Sequence, residues 1–176
     1  KVLQTVPLQA AAIRQLGIIY QEQGKLSRAY AFLKKADELD PQNLQVHLQL
    51  GLTYFSLQDR KMAVQEANWV LEKQQTQEEA LAILTDSCAS LAEIQEARLR
   101  IEKLRQSGTS QAAYHVALGA LFLKQQDLTN AEAEISQAMN LNPQSATAQM
   151  ALGNLCWMRN DLAGAEKAFH SAAELS

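Results

Sequence analysis

The sequence predicts an all-α fold, an α-solenoid built from stacked helix–turn–helix repeats. Three observations support this prediction. The 176 residues include only three prolines and seven glycines, and the abundant Ala, Gln, Leu and Glu favour helices over strands. Four of the glycines stand at positions 17, 51, 119 and 153, so the middle interval is twice the interval at either end. Between these glycines the apolar residues follow helical spacing, as expected for helices that each bury one stripe.

Composition limits the function classes. The chain is 47% hydrophobic, which is enough for a core, and its apolar runs are interrupted well before the ~18 residues that cross a membrane. We therefore expect a soluble globular chain without membrane insertion. Sixteen basic against nineteen acidic residues leave no basic stripe for a phosphate backbone, so no nucleic-acid partner is expected. The sequence does not indicate a compartment.

Other residues repeat with the same period. Leucine recurs at positions 16, 50, 84, 118 and 152, and alanine at 29, 63, 97, 131 and 165. A third column holds Tyr20, Tyr54, Cys88, Phe122 and Cys156. The columns divide the chain into five repeats that begin near residues 10, 44, 78, 112 and 146.

Each repeat contains two apolar stripes. In the first repeat, Ile13, Leu16 and Gly17 share one face of a first helix, and the glycine allows close approach of a second helix that carries Ala29 and Leu33. The predicted helices span residues 10–23, 26–39, 44–57, 60–74, 78–91, 94–107, 112–125, 128–141, 146–159 and 162–175.

Polar residues and prolines mark the helix boundaries. Asp59, Asp127 and Asp161 precede second helices, where a carboxylate can accept hydrogen bonds from unpaired backbone N–H groups. We predict that these aspartates are N-caps. Asp40-Pro41 and Asn142-Pro143 should end the helices before them, because the residue before proline disfavours the α conformation.

The pattern of Leu-Gly, an aromatic residue, Ala, a large apolar residue, Ala and Pro, with a period of about 34 residues, resembles the tetratricopeptide repeat. The resemblance covers residues 10–176 and implies a right-handed α-solenoid of five stacked repeats, at 10–43, 44–77, 78–111, 112–145 and 146–176. The third repeat departs most, with Thr85, Cys88 and Thr109 in place of the glycine, the aromatic residue and the proline. Pro7 lies one repeat length before Pro41, so residues 1–9 are expected to be the tail of a preceding repeat in a longer array.

No catalytic or metal-binding motif is visible in the sequence. His47 and His115 share one register, where the family often has tryptophan, and no carboxylate partner is seen to recur beside them. We predict that they are core or half-buried residues. Cys88 and Cys156 lie two repeats apart, too far for a disulfide, and are predicted to be buried thiols. We therefore expect no enzyme activity, no cofactor and no metal.

The resemblance implies that the first helices line a concave groove. We predict a partner-binding site at Arg14, Ile18, Leu48, Leu52, Phe55, Val116, Leu123, Lys124, Met150, Asn154, Trp157 and Met158. The set is mostly apolar. Members of the family that grip a terminal carboxylate line the groove with several Lys, Arg and Asn residues, and this chain has too few for that mode of binding.

Two functions therefore remain open. The first is a protein-interaction module that binds an apolar peptide or an amphipathic helix, with Phe55, Leu123, Trp157 and Met158 as anchors. The second is a structural scaffold or self-association segment of a larger repeat protein, in which copies associate through uncapped solenoid ends. An enzyme would require a catalytic domain outside this segment.

Overall fold

The computed structural model describes residues 2–106 and 111–175, with side chains from residue 9 onwards. Within those ranges it contains ten α-helices and no β-strand. The predicted all-α class is therefore confirmed. The chain divides into two compact units, Lys1–Ser87 and Cys88–Ser176, which we call the N-terminal and C-terminal units.

The N-terminal unit contains five helices: α1 (Val2–Glu22), α2 (Leu26–Leu39), α3 (Leu44–Ser56), α4 (Arg60–Lys73) and α5 (Glu78–Asp86). Helices α1 and α2 form one antiparallel hairpin, and α3 and α4 form the next. Helix α5 packs against both α3 and α4. The unit is thus a stack of two complete hairpins and one further first helix.

The C-terminal unit contains α6 (Leu91–Gln106), α7 (Ala112–Lys124), α8 (Leu128–Leu141), α9 (Ala146–Met158) and α10 (Leu162–Glu174). Helices α7 and α8 form one hairpin, and α9 and α10 form another. Helix α9 also packs against α7 and α8, so the second hairpin covers the first. Successive hairpins bury the apolar stripes that each hairpin alone would leave exposed.

Seven of the ten helices match the predicted bounds within one residue, including the two that end before Pro41 and Pro143. The predicted start of the first helix at residue 10 is wrong, because α1 begins at Val2 and continues through Pro7. Proline removes one backbone donor, and near the start of a helix this costs a single hydrogen bond. The extent of the array beyond these helices stays a prediction.

The third repeat also departs from the predicted bounds. Helix α5 ends at Asp86 rather than at 91, and α6 begins at Leu91 rather than at 94. A capping box explains the early start of α6. The Ser90 hydroxyl accepts a hydrogen bond from the Glu93 N–H (3.3 Å), and Glu93 Oε2 accepts from the N–H groups of Ala89 (2.7 Å) and Ser90 (2.9 Å). Gly108 and Thr109, near the end of this repeat, lie outside the described residues.

The turns between first and second helices share one backbone conformation. A left-handed residue with a φ of 60° to 70° stands in four of them, at Gly24, Gln58, Gln126 and Asn160. The residue that follows donates its N–H to a carbonyl five positions earlier, as Asp127 does to Phe122 (3.0 Å). This is the Schellman arrangement that satisfies the last carbonyls of a helix.

The predicted N-caps are confirmed in the same turns. Asp59, Asp127 and Asp161 each accept a hydrogen bond from the backbone N–H three positions later, at 3.2, 3.1 and 3.0 Å. Each hairpin turn of this kind therefore ends one helix and begins the next within a short stretch of chain.

We expect Gln126→Gly to stabilise the protein by about 0.5–1 kcal/mol, because glycine adopts the left-handed conformation without the steric strain of a Cβ atom. Gln137→Gly is the matched control at an exposed position inside α8, where glycine should cost about 1 kcal/mol. Urea denaturation measures both free energies of unfolding. If both variants destabilised the protein to the same extent, the left-handed conformation of Gln126 would not be a source of strain.

Close packing within the hairpins depends on the repeated glycines. A Cβ atom on Gly17 would come within 2.7 Å of Leu33 Cγ, and one on Gly119 within 2.8 Å of Ile135 Cγ1. A Cβ atom on Gly153 would overlap the ring of Phe169 in the same way. In all three hairpins the contacting side chain follows the glycine at the same distance along the sequence. The large residue of the second helix therefore fills the space that the missing side chain leaves.

We expect Gly153→Ala to destabilise the protein by ~1–3 kcal/mol through overpacking against Phe169. In a Phe169→Ala background, the same change should be neutral or stabilising, because the ring is gone and alanine favours the helix. A double-mutant cycle by chemical denaturation measures this coupling. Additive effects would show that the Phe169 ring is not the reason why position 153 requires a glycine.

Candidate binding surfaces

The predicted partner-binding residues on α1 and α3 are less exposed than a binding surface requires. Leu48 lies in the core, so it is not available to a partner, and its inclusion among exposed groove residues is wrong. Ile18, Leu52 and Phe55 are half-buried. Arg14 is also half-buried, and its Nη1 donates a long hydrogen bond (3.4 Å) to Asn43 Oδ1. This surface therefore offers only part of each predicted side chain.

On α7 the predicted anchor Leu123 is also buried. It belongs to a core cluster with Ala151 and Leu155 of α9, and the half-buried Val116 packs against the same cluster. Leu123 is thus a stacking residue rather than an exposed anchor. Lys124, one position later, is exposed, and its Nζ donates a hydrogen bond to the Cys88 carbonyl oxygen (3.0 Å).

Helix α9 carries an exposed apolar surface. Met150, Asn154, Trp157 and Met158 are all exposed, and Trp157 is 64% exposed. Their spacing of i, i+4, i+7 and i+8 places them on one side of the helix, which we call the α9 face. Helix α9 contains no charged residue from Ala146 to Met158. Trp157 is thus solvated rather than buried in the core.

An ion pair lies at the edge of the α9 face. Arg159 Nη2 contacts Glu132 Oε2 at 2.7 Å and also donates to the Leu128 carbonyl oxygen at 3.4 Å. The hydrogen bond to Arg159 lowers the pKa of Glu132 below its usual value, and the same bond raises the pKa of Arg159. The contact links the turn after α9 to α8, which helps to fix the end of the helix that carries Trp157.

The repeated histidines are structural. His47 and His115 are buried, which confirms the prediction that they are core residues. The expectation that no carboxylate recurs beside them is wrong, because Nδ1 of each ring contacts a glutamate of the second helix, Glu66 or Glu134, at 2.7 Å. His47 also stacks on Trp69, with ring centroids 3.7 Å apart. Each pair joins the first and second helices of one hairpin.

Cys88 and Cys156 form no disulfide, and both are half-buried rather than fully buried. Burial raises the pKa of the Cys156 thiol, and the neighbouring Asp161 adds to this effect. In the part of the chain that the structure describes, no group of three His, Cys, Asp or Glu side chains could hold a metal ion. Over the same residues, no helix combines the length and apolar character needed to cross a membrane.

Comparison with known proteins agrees with this geometry. Residues 20–87 match a family described as tetratricopeptide repeat. This match and the all-helical fold support a tetratricopeptide-repeat protein. Stacked repeats of this kind form extended surfaces that bind other proteins, so this fold is a general protein–protein interaction module. None of the curated proteins is significantly similar to this sequence.

Solved structures share the tetratricopeptide fold. TTC0263, a thermophilic repeat protein of Thermus thermophilus, is 17% identical and superposes with a TM-score of 0.71 over 95% of this chain and 91% of its own. PilF of Pseudomonas aeruginosa is 19% identical, with a TM-score of 0.65 over 98% of this chain and 78% of its own. PilW, described as a type IV pilus biogenesis factor, is 20% identical, with a TM-score of 0.65 over 94% and 78%. At these identities the likeness concerns the fold alone.

We expect Trp157→Ala to change the free energy of unfolding by less than about 1 kcal/mol, because its ring is mostly solvated. Leu155→Ala, two positions away in the core, should cost ~2–5 kcal/mol. Thermal and chemical denaturation of the two variants test this difference. Similar losses would show that Trp157 contributes to the core and is not a binding residue.

Proposed function

We propose that the chain is a protein-interaction module whose α9 face binds an apolar, helical segment of a partner protein. The observation that carries this proposal is the exposure of Trp157, Met150 and Met158 on one side of an uncharged helix. Aromatic residues and methionine are enriched at the centres of protein interfaces, where charged residues are depleted. The α9 face has this composition.

The chemistry of the α9 face favours a helical ligand. Apolar side chains at i, i+7 and i+8, which are Met150, Trp157 and Met158, match the apolar stripe of an amphipathic helix that packs alongside them. Unbranched methionines can adjust to different side chains, and the Asn154 amide provides a polar group within the row. Of the residues predicted from the sequence, Arg14, Ile18, Leu52, Phe55, Val116 and Lys124 remain proposals for contributions outside α9. Leu48 is buried in the N-terminal unit, and Leu123 is buried in the cluster that α7 forms with α8 and α9.

The proposed function requires no catalytic group, metal or cofactor of this chain. The buried histidines are engaged with glutamates inside the hairpins, and the proposed ligand is recognised by burial of apolar surface. Binding of this type depends on a few aromatic and aliphatic anchors rather than on total contact area. Trp157 is therefore the residue whose removal tests the proposal most directly.

We expect Trp157→Ala to weaken binding of a synthetic amphipathic peptide, with leucines at i, i+4 and i+7, by about 30-fold or ~2 kcal/mol. Leu99→Ala is the matched control, because Leu99 is 68% exposed in the same unit but lies on α6. Fluorescence anisotropy of the labelled peptide measures the affinity, and the same peptide with serines in place of leucines should not bind. Equal affinities of the two variants would reject the α9 face as the site.

A further inference from the structure

The two hairpin turns of the N-terminal unit carry exposed basic side chains. Lys25 and Arg28 stand at the start of α2, and Arg60 and Lys61 stand at the start of α4. All four side chains are exposed. We call these four residues the basic edge.

The two turns lie next to each other at one edge of the unit. Tyr30, near the start of α2, contacts Tyr54, near the end of α3, with ring centroids 5.6 Å apart. The start of α2 is therefore beside the turn between α3 and α4, at the spacing of packed helices, which is roughly 10 Å. Stacked repeats cover the sides of a hairpin and leave its turns at the edge, so the basic edge stays accessible in an array of any length.

The charges of the basic edge are not neutralised by neighbours. None of the four side chains forms an ion pair with a carboxylate in the part of the chain that the structure describes. Further along α2, by contrast, Lys34 and Lys35 contact Asp37 and Glu38, each at 2.7 Å. The basic residues at the turn are thus free to pair with charges of another molecule.

The excess of positive charge is specific to these two turns. Residues 20–30 and 54–64 contain four basic and two acidic residues, and one of the acidic residues, Asp59, already caps α4. The corresponding stretches of the other three repeats, 88–98, 122–132 and 156–166, contain three basic and six acidic residues. The basic edge is therefore a local feature of a chain whose net charge is −3.

Helix stability does not explain these basic residues. The first turns of α2 and α4 contain no acidic residue, and cations there repel the positive end of the helix dipole. Lys25 also stands in the register of the capping residue Asp59 and forms no side-chain capping bond. The two helix starts therefore add to the positive potential of the side chains.

An aromatic pair holds two of the cations in place. Lys25 Nζ lies 5.8 Å and Arg28 Cζ 5.7 Å from the centroid of the Tyr20 ring, and Tyr20 stacks on Phe32 with centroids 5.2 Å apart. Cations over an aromatic face are attracted by its electrons. Side chains restrained in this way lose less conformational entropy when a ligand binds.

We propose that the basic edge binds an acidic segment of a partner protein, with carboxylates paired to the cations of both turns. Two groups of cations roughly 10 Å apart match carboxylates about three residues apart in an extended segment. Arg28 and Arg60 can each bind a carboxylate through two parallel hydrogen bonds. The basic edge is a second interaction surface, in a different unit from the α9 face, and does not depend on the function proposed for that face.

The size of the basic edge favours a short acidic protein segment over nucleic acid. Proteins that bind a phosphate backbone with strong salt dependence neutralise about six to ten phosphates. The basic edge offers four cations, and the net negative charge of the chain repels a long polyanion.

Fluorescence anisotropy of a labelled ten-residue peptide, with two pairs of glutamates three residues apart, tests the proposal. Replacing Arg28→Gln and Lys61→Gln together should weaken binding about tenfold at low salt. The control replaces Lys35→Gln and Lys73→Gln, which removes the same charge from the same two helices away from the turns and should change the affinity less than about twofold. The peptide with glutamines in place of glutamates should not bind.

Thermal denaturation separates loss of binding from loss of folding. The variant with Arg28→Gln and Lys61→Gln should be at least as stable as the wild type, because the removed cations oppose the helix dipole. Equal affinities of the two double variants, or no binding to the wild type at about 1 mM, would overturn the proposal. Tighter binding of a single-stranded oligonucleotide of equal charge would overturn the choice of a protein segment. Trp157→Ala should bind the acidic peptide with wild-type affinity, whether or not the α9 face binds the leucine peptide.

Discussion

The fold depends on the close approach of the two helices of each hairpin at the repeated glycine. Gly17, Gly119 and Gly153 leave a space that Leu33, Ile135 and Phe169 fill, always from the same position of the second helix. A side chain on the glycine would separate the helices, and the alanines that line the second helix could then no longer be buried. The second hairpin varies the arrangement. A Cβ atom on Gly51 would meet Ile83 of α5 at 3.2 Å, because the smaller Ala67 stands at the position of Leu33.

The sequence period was enough to predict the helix bounds in the repeats whose two helices are joined by the left-handed turn. Where Gly24, Gln58, Gln126 and Asn160 form left-handed turns, the helix bounds agree with the prediction, apart from the start of α1. In the third repeat the residue in that register is Ala92, and it lies inside α6 instead. There the hydrogen bonds of Ser90 and Glu93 determine where the helix starts, because the capping box satisfies its unpaired backbone N–H groups. The period of the apolar residues gives no information about these bonds. A serine followed three positions later by glutamate was the visible signal.

The candidate site was predicted less well than the fold, for a physical reason. Register identifies the side of a helix on which a residue lies, but burial depends on whether another helix covers that side. Leu123 and Trp157 occupy the same position in successive repeats, yet Leu123 is buried under α9 and Trp157 is solvated. The sequence analysis also failed to predict the glutamate partners of the two histidines. Glu66 and Glu134 lie on the facing helix, far along the sequence from His47 and His115, and only the shared register of the two pairs connects them in the sequence.

Helix α9 is held on α7 and α8 by the core cluster, and the α9 face lies outside that cluster. The rigid support beneath the α9 face therefore favours partners that already present a formed helix, because ordering a flexible segment would offset part of the binding free energy.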